Sequence, residues 1–107
     1  MVRDWLDDLE ADRLRPVLRK VAVVWETADL AQLDNYQAWC ECARTEGERK
    51  LLKRVLDDRN PGLAQSIHAL HGEGRKLFAA VGAMHMVGPQ GLPALMAARG
   101  YTVERLF

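Results

Sequence analysis

Three residues beyond Gly82, after the apolar run 77–81 (Leu-Phe-Ala-Ala-Val), the chain places a histidine, His85. A neutral imidazole is the commonest metal-binding side chain and titrates near neutrality. The run 77–81 is short and continuously apolar, which predicts a strand covered on both faces. Ligand sites in open α/β sheets lie where such strands give way to loop and helix. His85 therefore stands where metal binding or catalysis would be placed. One histidine makes no site, however, and no H-E-x-x-H or similar cluster accompanies it. The plainer alternative is a histidine that only packs.

Four other groups have chemistry in reach. Arg59, just ahead of a helix start, reads either as a solvated arginine or as a planar fork for a carboxylate or anionic substrate. Asn60 followed by Pro61 is accounted for by capping, with proline at the first helical position. His68 and His71 share a helix face and could hold a metal, but would need further ligands; His71 also suits a donor role at a helix end. The loop Gly88-Pro-Gln-Gly91 leads into a helix but lacks the lysine of a phosphate loop.

The two cysteines, Cys40 and Cys42, sit one residue apart. In a helix that spacing points them about 200° apart around the axis. The expectation is two helix-packed free thiols, the alternative a partner elsewhere; zinc sites use a different spacing.

Elements that must position these groups follow from local signals. Residues 4–27 read as helical, with Pro16 either opening a second helix or kinking one. Leu14, Val17, Leu18, Val21, Val24 and Trp25 form its apolar stripe. Asp29, with Gln32 three residues on, caps a helix expected to run to about Cys42. Thr45 and Glu48 form a capping box for the next, whose inner side is Leu51, Leu52, Val55 and Leu56. A helix from Asn60 ends at His71–Gly72, with Leu63, Ile67 and Leu70 on one face. After Gly74 the period changes, and a strand, a helix from about residue 89 or 90 to 99 and a terminal alternating strand (102–107) follow.

The expected class is thus a helix-rich α/β chain, with helices over 1–72 and a strand–helix–strand unit over 73–107. Two strands do not make a stable sheet, and an apolar strand needs neighbours on both edges. The chain is accordingly expected to be an incomplete half of a larger α/β domain. Its sheet would be completed by a missing N-terminal half-domain or a second copy.

Composition narrows the partners. The 107 residues allow one domain, and 49% hydrophobic with 28% charged residues predicts a folded, soluble chain. Lys+Arg and Asp+Glu stand equal at 15 each, so no global field points to nucleic acid or an anionic membrane. No apolar run approaches the roughly 20 residues of a membrane span, and the acidic N-terminus lacks a signal-peptide core. The expected location of the chain as given is the cytoplasm.

Taken together, Phe78-Ala-Ala-Val-Gly-Ala-Met-His-Met-Val-Gly-Pro-Gln-Gly-Leu92, then Leu95, Gly100-Tyr-Thr-Val and Arg105-Leu, resemble the C-terminal signature of the TraB/GumN family. Trp25-Glu-Thr-Ala-Asp-Leu-Ala-Gln-Leu33 and Asp57-Asp-Arg-Asn-Pro61 resemble its helical region and its Arg-Asn segment. The related Tiki proteins are metal-dependent peptidases. The resemblance implies a divalent metal held by two G-x-x-H motifs and an acidic residue. Gly82-Ala-Met-His85 matches the second motif, making His85 a metal ligand and Gly82 the permissive turn residue. Arg59 and Asn60 match the Arg-Asn segment, with Arg59 the candidate catalytic or orienting group. The first motif and its acid have no match. With one ligand, the chain is expected to be inactive alone, a portion of a metal-dependent hydrolase. The alternative is a non-catalytic binding module or remnant. Bacterial relatives often carry secretion signals, so the parent protein would often lie outside the cytoplasm.

Overall fold

The computed structural model describes residues 2–106 and divides the chain into two compact units, Met1–Leu51 and Leu52–Phe107. Every regular element among the described residues is helical. The class is all-α, and the expected strand–helix–strand unit is not formed. A strand exists only through the ladder it joins, since its N–H and C=O groups bond to a neighbour. Residues 75–82 and 101–106 find no such ladder and run as irregular chain. Phe78 is 95% and Leu106 83% exposed, so these apolar side chains lack the cover that the sequence pattern anticipated.

In the first unit, α1 (Val2–Glu10) and α2 (Leu14–Glu26) are separated by a break at Asp12, whose backbone is left-handed at φ 53°. Pro16 falls in the first turn of α2, where its missing N–H would have had no helical partner. Proline thus begins a second helix and does not kink one. The α2 stripe buries Val24, and α2 packs against α3 (Leu30–Asp34). Asp29 caps α3 as its sequence predicts, accepting the Gln32 N–H at 3.2 Å.

That helix does not reach Cys42. It gives way to a single 3₁₀ turn, Tyr36–Ala38, and the Trp39 indole N–H folds back onto the Gln32 carbonyl at 3.0 Å. The bends that follow overturn the expectation of free thiols, because Cys40 and Cys42 form a disulfide with their Cα atoms 5.1 Å apart. The helical separation of the two side chains does not apply, since Glu41 between them is left-handed at φ 56°. Closing a loop of about three residues stabilises a chain by about 1.5 kcal/mol. A left-handed non-glycine backbone costs about 1–2 kcal/mol. The two offset, so this disulfide adds little to the stability of the fold.

The loop then enters α4 (Glu46–Leu52) through the capping box its sequence announces. Glu48 N–H donates to Thr45 Oγ1 at 3.1 Å, and Glu48 Oε2 accepts from Thr45 N–H at 3.0 Å and Arg44 N–H at 2.7 Å. Arg44 also reaches back to Asp8 of α1, whose carboxylate is buried between Arg44 and Arg13 (Nε to Oδ1, 2.7 Å). The Arg13 hydrogen bond holds the Asp8 carboxyl below its ordinary value; burial opposes it, and Arg44 reinforces it.

A carboxyl whose pKa is lower folded than unfolded stabilises the fold fully above the ordinary carboxylate range. That stabilisation is lost as pH falls through the depressed folded value. Acid titration followed by helical circular dichroism should show the wild-type chain losing helix below about pH 4, with that limb flattened in Asp8→Asn. Identical acid limbs in the two proteins would refute the role of Asp8.

In the second unit a π-helical turn, Lys53–Asp57, leads into α5 (Asn60–Gly72). The left-handed Gly74 (φ 80°) closes the end of α5. A 3₁₀ turn, Ala83–Met86, and α6 (Leu92–Ala98) follow, and α5 packs against α6 around buried Ala64 and Leu92. Large apolar side chains elsewhere, among them Leu70, Leu77 and Val103, remain exposed.

Candidate functional site

Asn60 is the largest fully buried side chain among the described residues, at 1% exposure, and it opens α5. The sequence explains it as a cap, but its side chain does not cap. Arg59 occupies the cap position, and the Asn60 amide instead makes two bonds to residues far along the chain. Its Nδ2 donates to the Gln90 carbonyl at 2.7 Å, and its Oδ1 lies 2.6 Å from His85 Nδ1. Helix α5 supplies the amide, the Ala83–Met86 turn the imidazole, and the turn ahead of α6 the carbonyl. The turn carrying His85 packs against both α6 and the Lys53–Asp57 turn.

This network assigns the proton on the ring. A main-chain carbonyl only accepts, so the amide nitrogen of Asn60 must face Gln90 and its oxygen must face His85. An amide oxygen only accepts, so His85 Nδ1 must carry the hydrogen. In the neutral ring the lone pair is then on Nε2, which has no hydrogen bond to the described residues. Holding one ring nitrogen through a hydrogen bond while the other is left to bind is how proteins orient metal-ligating histidines.

Gly91 packs the site from beneath. A Cβ there would lie 2.5 Å from the Val87 carbonyl oxygen and 2.9 Å from the Val87 carbonyl carbon. The turn that delivers the Gln90 carbonyl therefore closes only over a glycine. Gly82, singled out by the sequence, is less constrained. Its backbone (φ −61°, ψ 145°) suits any residue, and a Cβ would meet the His85 ring at an ordinary 3.8 Å.

The other expected groups are not brought to this site. Arg59 is adjacent in sequence, but its side chain is exposed and forms no part of the network. His68 and His71 instead meet Tyr101: His68 Nδ1 lies 2.8 Å from the tyrosine hydroxyl, and both rings make edge contacts with it. Among the described residues no three His, Cys, Asp or Glu side chains cluster as a metal would need. What the described residues present here is one oriented imidazole, that of His85.

Sequence reasoning singles out His85 but misses what holds it. No local signal marks Asn60 as a buried hydrogen-bond hub, since Asn-Pro at a helix start already has a sufficient explanation. Gln90 contributes only its main chain, which no residue type announces.

Residues 1–105 match the model of the TraB/PrgY/gumN family. No curated protein and no solved structure matches the chain.

Proposed function

Because the chain belongs to the TraB/PrgY/gumN family, we propose that it forms the C-terminal wall of a Tiki-type metal-dependent hydrolase site, to which it contributes one ligand, His85. The observation that carries this reading is the Asn60 bond to His85 Nδ1, which leaves Nε2 as the free donor. A catalytic metal site takes about three protein ligands and keeps a position open, so the remaining ligands come from another segment or another copy of the chain. The bound ion would acidify a water or polarise a scissile carbonyl.

This chain's residues have narrower tasks. Asn60 fixes the ring and its tautomer, and the half-buried setting of His85 limits the rotation of the imidazole. Arg59, exposed beside Asn60, would meet an anionic substrate group. The extent of exposed apolar surface, with Phe78 open to solvent, supports a chain that buries these faces against further protein.

Elemental analysis of the assembled site, with the segment or second copy that supplies the other ligands present, tests the ligand role. His85→Ala should lower bound divalent metal by about tenfold or more, since even loss of an outer-shell partner costs about 10–100-fold in affinity. Unchanged metal content in His85→Ala would refute it. Arg59→Ala should retain the metal.

A further inference from the structure

The geometry points to a second site in the Met1–Leu51 unit: the Cys40–Cys42 disulfide is a thiol-exchange centre that takes small, carboxylate-bearing thiols. Three observations meet there. The disulfide closes a very short loop and holds Glu41 in a left-handed conformation, so it is not a staple on which the fold relies. Strained and accessible disulfides are the reducible, reactive class, and both cysteines here are only half-buried. The Cys42 backbone N–H donates to Cys40 Sγ at 3.1 Å. That bond becomes charge-assisted when Cys40 is a thiolate, which makes Cys40 the better leaving group.

A place for the thiol adjoins the disulfide. A cleft of about 450 Å³ is lined by Pro16, Val17, Lys20, Trp39 and Glu41 among others, so both chain neighbours of Cys40 face it. Pro16, Val17 and Trp39 offer it an apolar surface. The Lys20 ammonium, 4.7 Å from the Trp39 ring centroid, is positioned to pair with a carboxylate.

The exchange balances without any other reactant. A thiolate RS⁻ attacks Cys42 Sγ, forming a new S–S bond while the Cys40–Cys42 bond breaks and Cys40 leaves as thiolate. A second thiolate attacks the sulfur of R in that mixed disulfide, releasing RSSR and the Cys42 thiolate. Two RSH lose two electrons, the disulfide gains them, and the two protons end on the cysteines. The reverse sequence reoxidises the pair.

Glutathione is the probe. The chain is equilibrated at ratios of reduced to oxidised glutathione spanning several decades and quenched in acid; its free thiols are then tagged and counted by intact mass. The expected result is a two-electron transition inside that range. Glu41→Gly, which removes the left-handed penalty from the oxidised form, should shift the midpoint about tenfold toward more reducing ratios. A pair that stays oxidised, or stays reduced, at every ratio would overturn the proposal. A midpoint unmoved by Glu41→Gly would overturn the assignment of its reactivity to that backbone. The double variant Cys40→Ser/Cys42→Ser should fold with a helical spectrum like wild type, and its failure to fold would show a structural staple instead.

Discussion

Asn60→Leu is expected to destabilise the Leu52–Phe107 unit by about 2–4 kcal/mol while leaving the helical content of its native state unchanged. Leucine keeps asparagine's branching and number of side-chain heavy atoms and is the bulkier of the two, so the change removes hydrogen bonding without opening a cavity. Two groups then lose their partner together, the Gln90 carbonyl and His85 Nδ1. Each buried polar group left unsatisfied costs about 1–3 kcal/mol. The half-buried imidazole and the carbonyl of Gln90, itself an exposed residue, recover part of that from water, which keeps the total at the lower end of the simple sum. Denaturant unfolding of the chain measures the loss, and a change under about 0.5 kcal/mol, the usual range for an unimportant surface site, would refute the network. A second readout separates orientation from stability. Imidazole nitrogen NMR should show the Nδ1–H tautomer for His85 in the wild type, and a mixture in the variant. A ring already mixed in the wild type would remove the physical basis for Nε2 as the presented donor.

Gly91→Ala should be nearly as damaging, through sterics alone. The added methyl lands 2.5 Å from the Val87 carbonyl oxygen, and Val87 backbone atoms cannot swing aside as a flexible side chain would. The turn between Gly88 and Gly91 must open, costing about 1–3 kcal/mol as overpacking usually does. The same movement draws the Gln90 carbonyl away from Asn60, so the His85 tautomer should become mixed in this variant too. Gly62→Ala is the matched control. It lies in α5 with nothing within 4 Å of its Cβ position, and an alanine inside a helix gains about 0.5–1 kcal/mol over glycine. A Gly91→Ala protein as stable as Gly62→Ala would show that the turn yields without resistance.

The two variants touch one structure from opposite sides. Asn60 supplies the polar link and Gly91 the room for it. Their effects should therefore fall short of additive when combined, as expected for residues that share a partner. Asp8, in the other unit, should add to either independently.

The helix starts were legible because their chemistry is local. Asp29 with Gln32, and Thr45 with Glu48, satisfy amides three residues away, and nothing distant competes for them. Pro16 likewise declares itself through its own missing N–H. The run 77–81 misled for a related reason. Its apolar content fits a covered strand, but cover and ladder belong to neighbours, and among the described residues none are supplied. The cysteines misled because a helical spacing argument presumes a helix, whereas Glu41 turns left-handed without the glycine that would have signalled it.

By itself the sequence determined the helix starts set by caps and proline, and it singled out His85. It also carried the family to which the chain belongs. Tertiary structure alone decided which atoms meet. Asn60 lies 25 residues from His85 and 30 from Gln90, and only the packing of α5 against α6 brings the three together. A cap needs only the residues of its own turn. A buried amide that chooses distant partners over capping does so because packing has removed it from water, and no local pattern records that.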